Sequence, residues 1–209
     1  QNPLIQSAHA KLFKIREKRI HPHKDDKILT AWNGLMIASL AKGYQVLQDK
    51  RYLAAAQNSA TFIQKKLLTK HTLLRRYRDG EAGVSAYLDD YAFFIQGLLT
   101  LYEADFNPQW LELSRKLQKI QDDLLWDPEG GYFFTSTEDK SLIRRSKDYH
   151  DGAKPNSNAV SVLNLLKLYG YTFEKGYFER AKKTLLGVSS SLYQYPGGFA
   201  QMQMALDYY

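Results

Sequence analysis

The chain has 209 residues, 44% of them hydrophobic, a net charge of +7 and no cysteine. That is enough apolar material for one domain with a sizeable core. The missing thiols exclude disulfides, thiolate metal sites and a cysteine nucleophile, and they suit a cytoplasmic setting. The basic residues are spread over Lys11 to Arg19, Lys65-Lys66, Arg75 to Arg78, Arg144 to Lys147 and Lys182-Lys183 with no accompanying recognition motif, which argues against a nucleic-acid partner.

The first periodic stretch, Ile5, Ala8, Leu12 and Ile15, steps by 3, 4 and 3 residues with Lys11, Lys14 and Lys18 off the stripe. The spacing predicts a surface helix with one apolar side. A joint follows, His21-Pro22-His23-Lys24-Asp25-Asp26. It offers His23 and Asp26 as acid/base candidates, while its spacing fits no metal-site pattern, so no metal is expected.

From here three polar markers recur at the start of apolar helices: Asn33 before Leu35 to Ala41, Asp90 before Ala92 to Ile95, and Asn158 before Val162 to Leu166. Twenty residues after each marker a second helix begins its stripe, at Leu53, Trp110 and Phe178. The stripes Leu53, Ala56, Ala60, Ile63, Leu67; Trp110, Leu113, Leu117, Ile120, Leu124; and Phe178, Ala181, Leu185, Val188, Leu192 all step by 3, 4, 3 and 4. The shared register is an internal repeat of helical hairpins. The first helix of each pair is apolar around most of its circumference and is expected to be enclosed; the second is one-sided. Alternating helices of this kind build an α/α toroid or an open solenoid. Charged or amide residues interrupt every helix, so no membrane span is expected.

The connections are unusual. Leu73 to Gly80 meets an Asp-Gly turn and predicts a β-hairpin. Asp127 to Thr135, followed by Ser141 to Arg144, reads as two further short strands. Ordered insertions of this length tend to be functional, and each precedes an enclosed helix, so they gather with the three markers at one end of the bundle. After the third pair, Pro196-Gly197-Gly198 breaks the chain and Phe199 to Tyr209 starts a fourth enclosed helix. The expectation from the repeat is a single all-α domain over 1–209, three hairpins with half of one at each end, cut from a larger α/α toroid or solenoid with short β-hairpins at one end.

Leu12 to Arg19, His21 to Ile37, Leu88-Asp89-Asp90-Tyr91-Ala92-Phe93, Gly130 to Thr135 and Lys147 to Asn158 together resemble, in order, the signature of the spermatogenesis-associated thioredoxin-like protein family. The resemblance covers nearly the whole chain. It implies a helical region that is part of an (α/α)6 toroid, similar to the six-hairpin glycosidases and N-acylglucosamine 2-epimerases, preceded in the full-length protein by a thioredoxin-like module. It also implies a substrate mouth at the inner-helix N-termini. No catalytic role transfers from the epimerases, because His21, His23 and His150 are the histidines near the mouth and none lies on an enclosed helix.

Two readings of the mouth stay open. In the first, it takes a sugar. Asp89 or Asp90 acts as general acid/base, with Asp26 or His23 opposite. Trp32, Tyr87 and Tyr91 would offer aromatic faces, and Asn33, Asp148, Asp151, Asn156 and Asn158 polar contacts. In the second, the domain is a non-catalytic scaffold that docks a protein partner or the redox module. Asp89 above all, and also Asp90, Asn33 and Asn158, would then serve as helix caps. No Gly-rich phosphate loop or nucleophile elbow occurs, so no cofactor is expected.

Overall fold

A computed structural model describes residues 2–140 and 143–209. Among them are eight α-helices: α1 (Pro3–Arg16), α2 (Thr30–Leu47), α3 (Lys50–Lys66), α4 (Leu88–Asp105), α5 (Pro108–Leu125), α6 (Ser157–Thr172), α7 (Lys175–Gln194) and α8 (Ala200–Tyr208). The inner helices α2, α4, α6 and α8 lie side by side, and α3, α5 and α7 each pack on the inner helix that precedes them. The repeat is therefore one of hairpins arranged in two rows.

The outer stripes are buried as their spacing requires. Ala56, Ala60 and Ile63 on α3, Trp110, Leu113 and Leu117 on α5, and Ala181, Leu185 and Val188 on α7 all face the core. Each large apolar side chain so enclosed contributes about 2 kcal/mol. The inner row is not uniform. Every residue of α4 from Leu88 to Ile95 is buried, and α6 is similar from Ser157 to Val162. By contrast α2 leaves Trp32 and Met36 open to solvent. The reason is local: α4 has inner helices on both flanks, whereas α1 buries none of its own residues and gives α2 no comparable cover.

The turn from inner to outer helix is built the same way three times. Gln48, Phe106 and Phe173 end α2, α4 and α6 in the left-handed region, with φ of 56°, 53° and 58°. Asp49, Asn107 and Glu174 follow as the N-cap positions of the outer helices. A left-handed residue with a side chain costs about 1 kcal/mol relative to glycine. Gln48→Gly is accordingly expected to raise stability by about 0.5–1 kcal/mol, read as a higher urea midpoint with an unchanged slope.

The predicted hairpin is present as β2 (Leu74–Arg78) and β3 (Glu81–Ser85), antiparallel, with Arg78 opposite Glu81. Its turn places Asp79 and Gly80 at φ of 52° and 84°, the conformation an Asp-Gly pair favours. A third strand, β1 (Ile28–Leu29), pairs antiparallel with β2 and leads directly into α2. The second pair of strands is not formed among the described residues; only the bridge between Trp126 and Tyr132 occurs there, and Ser141 and Leu142 lie outside them. Consecutive glycines, Gly130 and Gly131, with φ of 107° and 78°, turn the chain too tightly for a ladder. No helix among the described residues is long and apolar enough to cross a membrane.

Candidate functional site

At the N-terminal end of the inner helices lies a pocket of about 510 Å³, lined by Trp32 from α2, Leu88 and Asp89 from α4, Phe134, Asp148, His150 and residues 152–158, whereas the predicted Asp151 is not in the lining. Three elements position its groups. The start of α4 fixes Asp89, only 6% exposed, whose Oδ1 accepts from Lys154 Nζ at 3.0 Å. The first turn of α2 projects Trp32, 67% exposed. The loop before α6 runs along the pocket wall as a strap.

The strap is tied down at both ends. Asn156 caps α6, accepting from the backbone N–H of Asn158 and Ala159. Asp151 Oδ1 accepts from Asn156 N at 2.7 Å and its Oδ2 from Gln201 N at 2.8 Å, while Asp151 N donates to Gly198 O. His150 stacks on Tyr195 and meets the Phe199 ring in an edge-to-face arrangement. The strap thus closes on the first turn of α8.

Several predicted residues do other work. Asp90 is fully buried, and it, rather than Asp89, satisfies the helix ends. Its Oδ2 accepts from Tyr87 N and Arg75 Nη1, and its Oδ1 from Ala31 N, each at 3.0 Å, so one carboxylate holds the starts of both α4 and α2. Burial pushes its pKa up to about 6 against the opposing pull of those donors and of Arg75. Asn33 is not a cap: α2 begins at Thr30, and one turn in, Asn33 Nδ2 donates to Leu29 O while Ser59 Oγ donates to its Oδ1, joining α2 to α3. Asn158 lines the pocket but is occupied too. Its Oδ1 accepts from Tyr132 N, and its Nδ2 donates to Tyr132 O and Asp148 O.

Tyr91 is fully buried, its hydroxyl accepting from Leu73 N and bonded to Thr72 Oγ1. Tyr87 packs on Phe134 under the Arg75 guanidinium and faces a separate cavity of about 410 Å³ shared with Thr72, Ser136 and Glu138. His23 and Asp26 do not line the pocket. Strand β1 pairs with β2, and Asp26 meets Arg78 Nε at 2.9 Å near the hairpin turn. His23 is exposed on the joint. Among the described residues no group of His, Asp and Glu could hold a metal ion.

No family model matches the chain. Over 216 aligned residues, 98% of the chain, it is 37% identical to spermatogenesis-associated protein 20 of Homo sapiens, and it is 34% identical to an uncharacterised protein of Caenorhabditis elegans over 97% of the chain. The chain is a homologue of spermatogenesis-associated protein 20. It spans 28% of that human protein and 29% of the nematode one, so just over a quarter of each.

Solved structures with the same architecture include a GH76 α-mannanase of Bacteroides thetaiotaomicron, with a TM-score of 0.66, 17% identity, and 81% of this chain and 47% of that one covered. Cellobiose 2-epimerase of Spirochaeta thermophila gives 0.62 at 18% identity over 78% of this chain and 43% of the other. An α-1,6-mannanase of Salegentibacter, solved with α-1,6-mannotetrose as an inactive variant in which two successive aspartates are replaced by alanine, gives 0.55 at 18% identity over 86% and 51%. At such identities the likeness is one of fold: the homologue of spermatogenesis-associated protein 20 has the helical-hairpin toroid architecture of glycoside hydrolases and sugar epimerases. Among the lining residues that the sequence had not singled out are Leu88, Phe134 and Lys154. For Lys154 the one signal was the density of polar groups between Lys147 and Asn158, which did not reveal that it turns inward to Asp89.

Proposed function

We propose that this region forms one wall of a carbohydrate-binding, carbohydrate-processing pocket at the N-termini of α2, α4 and α6. The observation that carries the reading is the buried carboxylate of Asp89 and the exposed indole of Trp32 opening on the same 510 Å³ pocket. An indole face packs against the C–H surface of a pyranose, and a carboxylate accepts from its hydroxyls. Glycoside chemistry needs a second carboxyl group across the bond. Asp148, which lines the pocket, takes the place foreseen for Asp26 or His23. Asp90 supports its neighbour from behind. The mannanase bound to α-1,6-mannotetrose supports the reading, since two successive aspartates were replaced in its inactive variant.

Calorimetric titration of the intact protein with a panel of mono- and disaccharides tests this. Binding at about millimolar or tighter is expected, with Asp89→Asn and Trp32→Ala each weakening it about tenfold. If no sugar binds at any soluble concentration, the reading is wrong.

A second reading, a docking domain for a protein partner such as a thioredoxin-like module in the longer protein, draws on α1. Its Leu4, Ile5, Leu12, Phe13 and Ile15 are all exposed. Under that reading the Asp89 and Trp32 variants change no sugar affinity, because there is none.

A further inference from the structure

Asp89 and Lys154 approach to 3.0 Å inside the pocket, the carboxylate side chain 8% exposed and the lysine 46%. The ammonium also sits 5.5 Å from the centre of the Phe93 ring. Its place is fixed by the strap rather than by the lysine stem alone. Gly152 N donates to Lys154 O, Asn156 Nδ2 donates to His150 O, and Asp151 bridges Asn156 N to Gln201 N. Such a closed set of bonds holds the residue before a ligand arrives, so little ordering is left to be done on binding.

A carboxylate only accepts hydrogen bonds and an ammonium only donates them. Side by side on one pocket wall, they match two hydroxyls on neighbouring carbons, one donating to Asp89 while the next accepts from Lys154. Their charges cancel, and the other carboxylate in the lining, Asp148, disfavours an anionic ligand.

We propose that the Asp89–Lys154 pair reads a vicinal diol of an uncharged sugar. The proposal rests on the carbohydrate reading of the pocket and narrows it to neutral glycosides with two adjacent free hydroxyls. Lys154 is the residue that selects among them. Asp151 is a positioning residue, acting through the strap.

The test titrates the intact protein, Lys154→Met and Lys154→Arg with methyl mannopyranoside, methyl glucopyranoside, their monodeoxy analogues and glucuronate. Lys154→Met is expected to bind the parent sugar about tenfold more weakly, and Lys154→Arg, which keeps the donors, to bind it almost as well as the native protein. For the monodeoxy sugar that lacks the accepting hydroxyl, native protein and Lys154→Met should bind equally. Equal losses for parent and every deoxy sugar, or no loss for any, overturn the diol assignment while leaving the pocket a sugar site. So does a preference for glucuronate that fades with added salt. Absence of binding by the native protein to any sugar rejects the carbohydrate reading itself.

Discussion

Asp90→Ala is expected to cost about 3–5 kcal/mol of folding stability, a large fraction of the roughly 5–15 kcal/mol that a folded domain commonly has in hand. The substitution removes an acceptor from two backbone N–H groups, Ala31 N and Tyr87 N, and from the Arg75 guanidinium, all at 3.0 Å. Each buried donor left unpaired costs about 1–3 kcal/mol, and Arg75 loses its counter-ion. The two N–H groups start two different inner helices, so the damage is not confined to one cap. Urea unfolding reads the change as a lower midpoint; a loss under about 1 kcal/mol would mean that water replaces the carboxylate at no great cost.

The same residue gives stability a pH dependence of definite sign. In the folded chain Asp90 keeps its proton up to about 6, whereas its ordinary value is 3.8. Between those values the native state holds more protons than the unfolded state, so stability falls as pH rises through the interval and then levels. A shift of this size corresponds to about 3 kcal/mol. Asp90→Asn, which cannot titrate, should flatten that slope relative to the native chain. An identical slope in both would place the titration elsewhere. Asp122, also raised by burial beside Tyr132, is the next group to consider.

Gly34→Ala is expected to be the other severe change, at about 3 kcal/mol or more. A Cβ on Gly34 would lie 2.5 Å from the Phe93 carbonyl carbon and 2.6 Å from Phe94 N, main-chain atoms of α4 that no rotamer change can move aside. Across the same contact a Cβ on Gly97 would lie 2.7 Å from Gly34 O. Alanine gains about 1 kcal/mol over glycine inside a helix, too little to offset forcing α2 and α4 apart along the most extensive helix pair of the fold. Thermal unfolding decides it: a raised midpoint for Gly34→Ala would show that the two backbones are not in contact.

Helix number, the twenty-residue register and the buried faces of α3, α5 and α7 were legible because an outer helix meets the core along one side, and a 3, 4, 3, 4 spacing records that side directly. The Asp79-Gly80 turn was legible for a similar reason, since its backbone conformation selects its residues. What Asn33, Asp90 and Asn158 do was not, because an amide or carboxylate at a helix start looks the same whether it caps, crosslinks or faces a ligand. Asp90 reaches Ala31 across 59 positions, and Lys154 reaches Asp89 across 65. Partners that distant leave no periodic trace. The strands expected after Asp127 failed because Gly130 and Gly131, both at positive φ, turn the chain there too tightly for more than the single bridge at Tyr132.

Asp151 gives the pocket a neighbour beyond its walls. One of its oxygens shapes the strap and the other holds the first turn of α8, so the loop at the pocket and the fourth inner helix are fastened to one carboxylate. A ligand that bound more tightly with α8 seated would favour that seating, and whatever packs against α8 would favour the ligand in return. By thermodynamic reciprocity the two effects are equal in size. The mouth and the far edge of the helical row are thus joined through a single side chain.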